Sequence, residues 1–246
     1  MGTRTLSNPP LRELVIDIQV STAPGFDSSV FKEASEELSS EYPIVEPQYL
    51  LHGQFGFKGG DFDGIQQKQT LLGYIYKSKS KKNLIQFRSN GFTINKIKPY
   101  SSWEAELEKV KRFWPLYKEL ASPLIINRIA VRAINDIVFP VGLSTPDKLL
   151  RYHPRTPKVK GGVTINSYVR RHQLSVRGGY TVNLLFAYEG KRTDRDITFL
   201  LDIDIFKKDS FNNEESAIWE QFEEMNQLKN EIFINSLTKK GLEVFK

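Results

Sequence analysis

FLLDIDIFKKD, Phe199 to Asp209, is the stretch on which the fold turns. Phe199, Leu201, Ile203 and Ile205 share one parity and Asp202 and Asp204 the other, so an extended chain here has one apolar side and one acidic side. A strand that is wet on one side needs a cover on the other only, which points to an antiparallel sheet roofed on a single face. The two carboxylates lie about 7 Å apart at Cβ, the i to i+2 spacing of a strand. That spacing suits a Mg²⁺ or Mn²⁺ ion if a third acid joins them. It equally suits cross-strand ion pairs with Arg128 and Arg132, and this is the favoured reading, because nothing in the sequence brings Asp17 or Asp136 beside the pair.

The same alternation recurs outward from this strand. In LRELVIDIQV (11–20), Leu14, Ile16, Ile18 and Val20 oppose Glu13, Val15, Asp17 and Gln19. LIINRIAVRAINDIVF (124–139) is a long strand that places Asn135 on its apolar parity, where an amide needs a partner: a tie to neighbouring backbone, as at a β-bulge, or a ligand. VTINSYVRRHQLSVR, YTVNLLFAY and ITFLLDIDIF form a meander whose first turn, Arg177-Gly178-Gly179-Tyr180, has paired glycines for its positive φ values. In the first half, QYLLHGQFGF, a GGDFDG loop (59–64) and LLGYIYKS precede NLIQFR and FTINKIK, two strands joined through Ser89-Asn90-Gly91.

Helices fill the intervals. Asp27 caps a helix over 28–41, and Ser101-Ser102-Trp103-Glu104 opens another as a capping box, with Pro115 expected to kink or end it. Thr145-Pro146 starts a short helix, and an amphipathic stripe runs from Glu214 to Thr238. Each half therefore reads strand, helix, antiparallel strands, helix. The expectation is one α+β domain over 1–246, built from pseudo-repeats at about 10–122 and 123–246, with a broad curved antiparallel sheet and helices on one face. By element order this is akin to saddle-shaped or helix-grip folds, an analogy that carries no function.

With 246 residues, 39% hydrophobic and 26% charged, the composition is that of a globular chain. The lack of cysteine excludes disulfides, thiolate metal sites and cysteine nucleophiles. No run approaches the ~20 apolar residues that span a bilayer, and the first residues lack a signal-peptide core, so a cytoplasmic protein with no membrane partner is expected. The net charge is +6, and it is segregated. Between Gly64 and Trp103, and again between Lys148 and Tyr188, there is no Asp or Glu. YIYKSKSKKNLIQFR and YVRRHQLSVRGGY interleave cations with aromatics, a mixture that holds phosphates and stacks bases. Arg132, Arg170, Arg171 and Arg177 are the expected polyanion contacts, with Lys79, Lys81 and Lys82 as a steering tip. His172, beside two arginines, is a candidate general acid/base, although a half-exposed strand histidine is the plainer reading. No metal-type histidine spacing, phosphate-binding glycine loop or nucleophile elbow is present.

The PLxExxxxI-like start (Pro10 to Ile18), the R-x-x-N of Arg132 to Asn135, the L-D-I-D strand of Leu201 to Asp204 and the aromatic, acidic closing helix together resemble an uncharacterised prokaryotic family. Its members are of about this length, sporadically distributed, and marked by an R-Y-x-N strand; Ala133 stands here in place of the aromatic. The resemblance implies a prokaryotic cytosolic accessory protein of the kind found among mobile or defence genes, and it implies no catalytic residues. The leading expectation is a non-enzymatic binder of nucleic acid or another polyanion. A metal-dependent phosphoesterase or nuclease using Asp202 and Asp204 is the alternative from the enzyme class. A third reading is a protein partner in a toxin-antitoxin or phage-defence system.

Overall fold

The alternation over Leu11–Ser21 is realised as strand β1, with Leu14, Ile16, Ile18 and Val20 buried and Glu13, Val15, Asp17 and Gln19 partly exposed. The structure is a computed structural model describing residues 6, 8–58, 61–154, 157–158, 160, 162–191, 193, 195–211 and 215–245. After β1 come a 3₁₀ turn (Ser28–Glu33), α1 (Ala34–Leu38), and the strands β2 (Ile44–Lys58), β3 (Asp61–Lys77), β4 (Asn83–Arg88) and β5 (Gly91–Ile97). Helix α2 (Trp103–Ala121), β6 (Ile125–Pro140) and α3 (Pro146–Leu149) come next. The chain then forms β7 (Tyr168–Val176), β8 (Tyr180–Lys191), β9 (Asp196–Phe211), α4 (Glu215–Ser236) and α5 (Lys239–Leu242).

Among the described residues the nine strands make one open sheet, ordered β2-β3-β4-β5-β1-β6-β9-β8-β7. Every neighbouring pair is antiparallel. The α+β reading and the antiparallel sheet therefore hold. Both long helices lie on one face. Trp114 and Tyr117 of α2 meet Phe92 at ring-centroid distances of 5.9 and 5.7 Å, and Phe31 stacks on Tyr117 at 5.6 Å. Each such aromatic contact adds about 0.5–1.5 kcal/mol to the burial of apolar area. Helix α4 covers β6 and β9 with Ile218, Phe222 and Met225, all buried. The Trp103 indole N–H donates to Glu223 Oε2 at 2.8 Å and links the two helices.

Several local readings change. Asp27 does cap, accepting from the Ser29 N–H at 2.9 Å, but the segment it opens is a 3₁₀ turn and a short α1 instead of a helix to Glu41. Helix α2 is capped by Ser102, which accepts from the Ala105 N–H at 3.2 Å, and it runs past Pro115 to Ala121. Burial of Trp114 and Tyr117 on either side of the proline outweighs the missing donor. The GGDFDG segment is mostly strand: β3 starts at Asp61 and pairs with β2 down to Lys58, while residues 59–60 lie outside the described residues. Antiparallel pairing of two long neighbours overrides the turn propensity of Gly and Asp there. The glycine turn before β8 has φ of 92° and 81° at Gly178 and Gly179, as its sequence predicts.

Candidate nucleic-acid interface

The face opposite the helices carries every second residue of the central strands, and it is closed by a hydrogen-bonded polar ladder. Asp17 of β1 lies beside Thr93 of β5 in register. Its carboxylate accepts from Thr93 Oγ1 at 2.6 Å, Arg88 Nη2 at 2.8 Å and Arg128 Nη1 at 3.1 Å. Arg128 reaches on to Asp204, 3.6 Å away. Arg132 sits directly across from Asp204 but bonds the diagonal carboxylate, Asp202, through two contacts of 2.9 and 2.6 Å. Such a diagonal is within reach of a long side chain, and the bidentate fork is strong. These bonds raise the Arg132 pKa above its ordinary value, with burial opposing. Asp202 and Asp204 thus meet Arg132 and Arg128 across the sheet, as the ion-pair reading expects.

Amides extend the ladder sideways. Gln48 donates to Gln86 at 3.1 Å, Gln86 to Asn95 at 2.7 Å, and Asn95 to Glu13 at 2.8 Å. On the other flank Gln173 donates to Asn183 and Asn183 to Asp204, both at 3.1 Å. The centre of the face is therefore polar with its arginine charges met by carboxylates. Among the described residues no three of His, Asp and Glu converge as a metal would require.

The expected contact residues separate. Arg132 is tied to Asp202. On edge strand β7, Arg171 pairs in register with Leu185, which pairs with Asp202, and so shares the uncovered face. Arg170 and His172 have the opposite parity, across from Phe186 and Leu184. The Arg170 Nε–H donates to His172 Nε2 at 2.7 Å, which occupies that imidazole nitrogen, and its guanidinium lies 5.9 Å from the Tyr152 ring centroid. Lys79, Lys81 and Lys82 occupy the exposed β3–β4 turn, and Arg177 the exposed β7–β8 turn. Register places the first turn at the end of the sheet where β1 starts and the second at the end where β1 finishes, on opposite sides of the central strands. Asn135 is the backbone tie: its amide donates to Leu201 O at 3.1 Å and Ala133 O at 3.3 Å, beside a register shift in the β1–β6 pairing.

Arg88, Thr93, Asn95, Gln86 and Asn183 were not singled out by sequence, although their parity in NLIQFR, FTINKIK and YTVNLLFAY was visible there. Among the described residues no helix is long and apolar enough to cross a membrane. Compared with known proteins, the chain matches no protein-family model, and no curated protein is similar to it.

Proposed function

We propose that the protein is a non-enzymatic binder of nucleic acid that lays the phosphate backbone across the uncovered face of its sheet. The placement of the uncommitted cations carries this reading. Arg171 on the face, and Lys79, Lys81, Lys82 and Arg177 on the two turns, form no ion pair among the described residues. They border a centre whose arginines already have carboxylates. Phosphates go to the cationic border, while the amide row and the half-exposed Val15, Ile134 and Leu185 meet sugar and base.

Fluorescence anisotropy of labelled single-stranded and duplex oligonucleotides across salt concentrations tests it. If all five cations engage, log K falls against log salt with a slope of about −4, and Lys79→Glu, Lys81→Glu, Lys82→Glu combined flattens it by about 2 to 3. An absence of binding at about 50 mM salt removes the proposal.

A second reading, a protein partner, is favoured by Tyr49, Leu50 and Leu51 on edge strand β2, which are 54%, 46% and 65% exposed. Tyr49→Ser with Leu51→Ser distinguishes the two, since it leaves the salt slope unchanged. We infer in addition a duplicated origin for the chain. The strand order supports it: β1 and β6 pair at the centre, and each is flanked by the last strand of its own half, β5 or β9, with the earlier strands stepping outward. A prokaryotic, cytoplasmic, defence-associated setting is what the family resemblance implies, and phage plating on cells with and without the gene tests it.

A further inference from the structure

On the helix side of the sheet, at the end where β1 starts, a cleft of about 90 Å³ lies between α4 and the approach to β1. Leu6, Pro10, Ile203 and Phe233 make its walls apolar, and Tyr100, Asn135 and Lys229 are among its polar lining. Lys229 stands out. It is 7% exposed on the inner side of α4, with no hydrogen bond or ion pair to any described residue. Its Nζ lies 5.5 Å from the Trp103 ring centroid, a weak substitute for a counter-ion. Burial pushes its pKa down to about 8, with the Glu104 charge opposing the shift. A largely buried ammonium costs stability unless an opposite charge meets it. Lys229 is one of the residues that line the cleft.

We propose that the cleft binds a short-chain aliphatic carboxylate, with the Lys229 ammonium as counter-charge to the carboxyl group and the hydrocarbon against Leu6, Pro10 and Phe233. The volume sets the size: an engineered cavity of about 150 Å³ takes benzene, so this one admits a smaller body, about three to five carbons. The site is on the helix side, away from the uncovered face, and does not depend on nucleic-acid binding.

Calorimetry of the full chain with butyrate and with its uncharged isostere butyramide tests the assignment. Butyrate is expected to bind at pH 7 with a millimolar constant, butyramide at least tenfold more weakly, and Lys229→Met to lose the butyrate preference. Because the carboxylate takes the ammonium form, affinity for butyrate falls about tenfold per pH unit above 8. Should the variant fail to fold, the ¹³Cε resonance of Lys229 in the wild-type chain is followed during titration, and it moves if the proposal holds. No heat and no resonance shift, or equal binding of butyramide, overturns it.

Discussion

Replacing Asp17 by Asn tests whether the uncovered face is a specific ion-pair ladder or a set of incidental surface contacts. The carboxylate receives Arg88 at 2.8 Å, Arg128 at 3.1 Å and Thr93 at 2.6 Å. Its side chain is 13% exposed, and those of Arg88 and Arg128 are 19% and 15% exposed. Removing one partner of a fully buried pair costs about 3–5 kcal/mol, while exposed pairs are worth about 0–1. These groups lie between the limits, and Arg128 keeps Asp204 at 3.6 Å, so the expected loss is about 2–3 kcal/mol. Asp202→Asn supplies the internal scale. Its partner Arg132 is 48% exposed and can turn to water, which limits the loss to about 1 kcal/mol. Urea unfolding reads both, with unchanged m-values as the control. The functional arm has the opposite sign: Asp17→Asn leaves one more positive charge on the face, so oligonucleotide binding tightens and the salt slope steepens by about 0.7–0.9. A stability within about 0.5 kcal/mol of wild type, or a loss no larger than that of Asp202→Asn, refutes the reasoning about burial. Unchanged binding at normal stability refutes the choice of face.

The buried ammonium makes a pH prediction. The folded pKa of Lys229 is about 8 against a reference of 10.5, so between these values the unfolded chain holds the extra proton and stability rises with pH. Lys229→Met removes the penalty and is expected to be more stable at pH 7, by up to about 3 kcal/mol, with the advantage shrinking as pH climbs through that window. Urea melts at pH 7 and pH 10 that give the same difference would rule out the buried charge. Gly73→Ala would put a Cβ 1.9 Å from Phe87 O and 2.8 Å from Arg88 Cα, forcing β3 from β4 at a cost of about 3 kcal/mol or more. Gly25→Ala, with φ of 78° and nothing within 4 Å, should lose only about 1 kcal/mol, the left-handed strain; equal thermal shifts for the two would contradict the close approach at Gly73.

Period-two alternation in Leu11–Ser21, Ile125–Pro140 and Asp196–Phe211 was enough to separate a dry face from a wet one, because burial acts on each strand alone. Glycine turns and the Asp27 cap were equally legible, since both satisfy backbone groups within a few residues. Where local preference met a large tertiary gain, it lost: α2 does not end at Pro115, and the Gly/Asp segment was drawn into β3.

Alternation also told apart Arg170 and Arg171 in principle, yet reading both as one basic cluster ignored that neighbours on a strand point to opposite faces. Pairing is another matter. Arg132 and Asp202 are 70 residues apart and Arg128 and Asp17 are 111 apart, so their meeting depends on strand order and register across the whole sheet. The chain by itself determined which side chains share a face of each strand. Only the folded sheet decided which charges neutralise one another and which remain free, because an ion pair acts over a few ångströms of space that sequence distance does not measure.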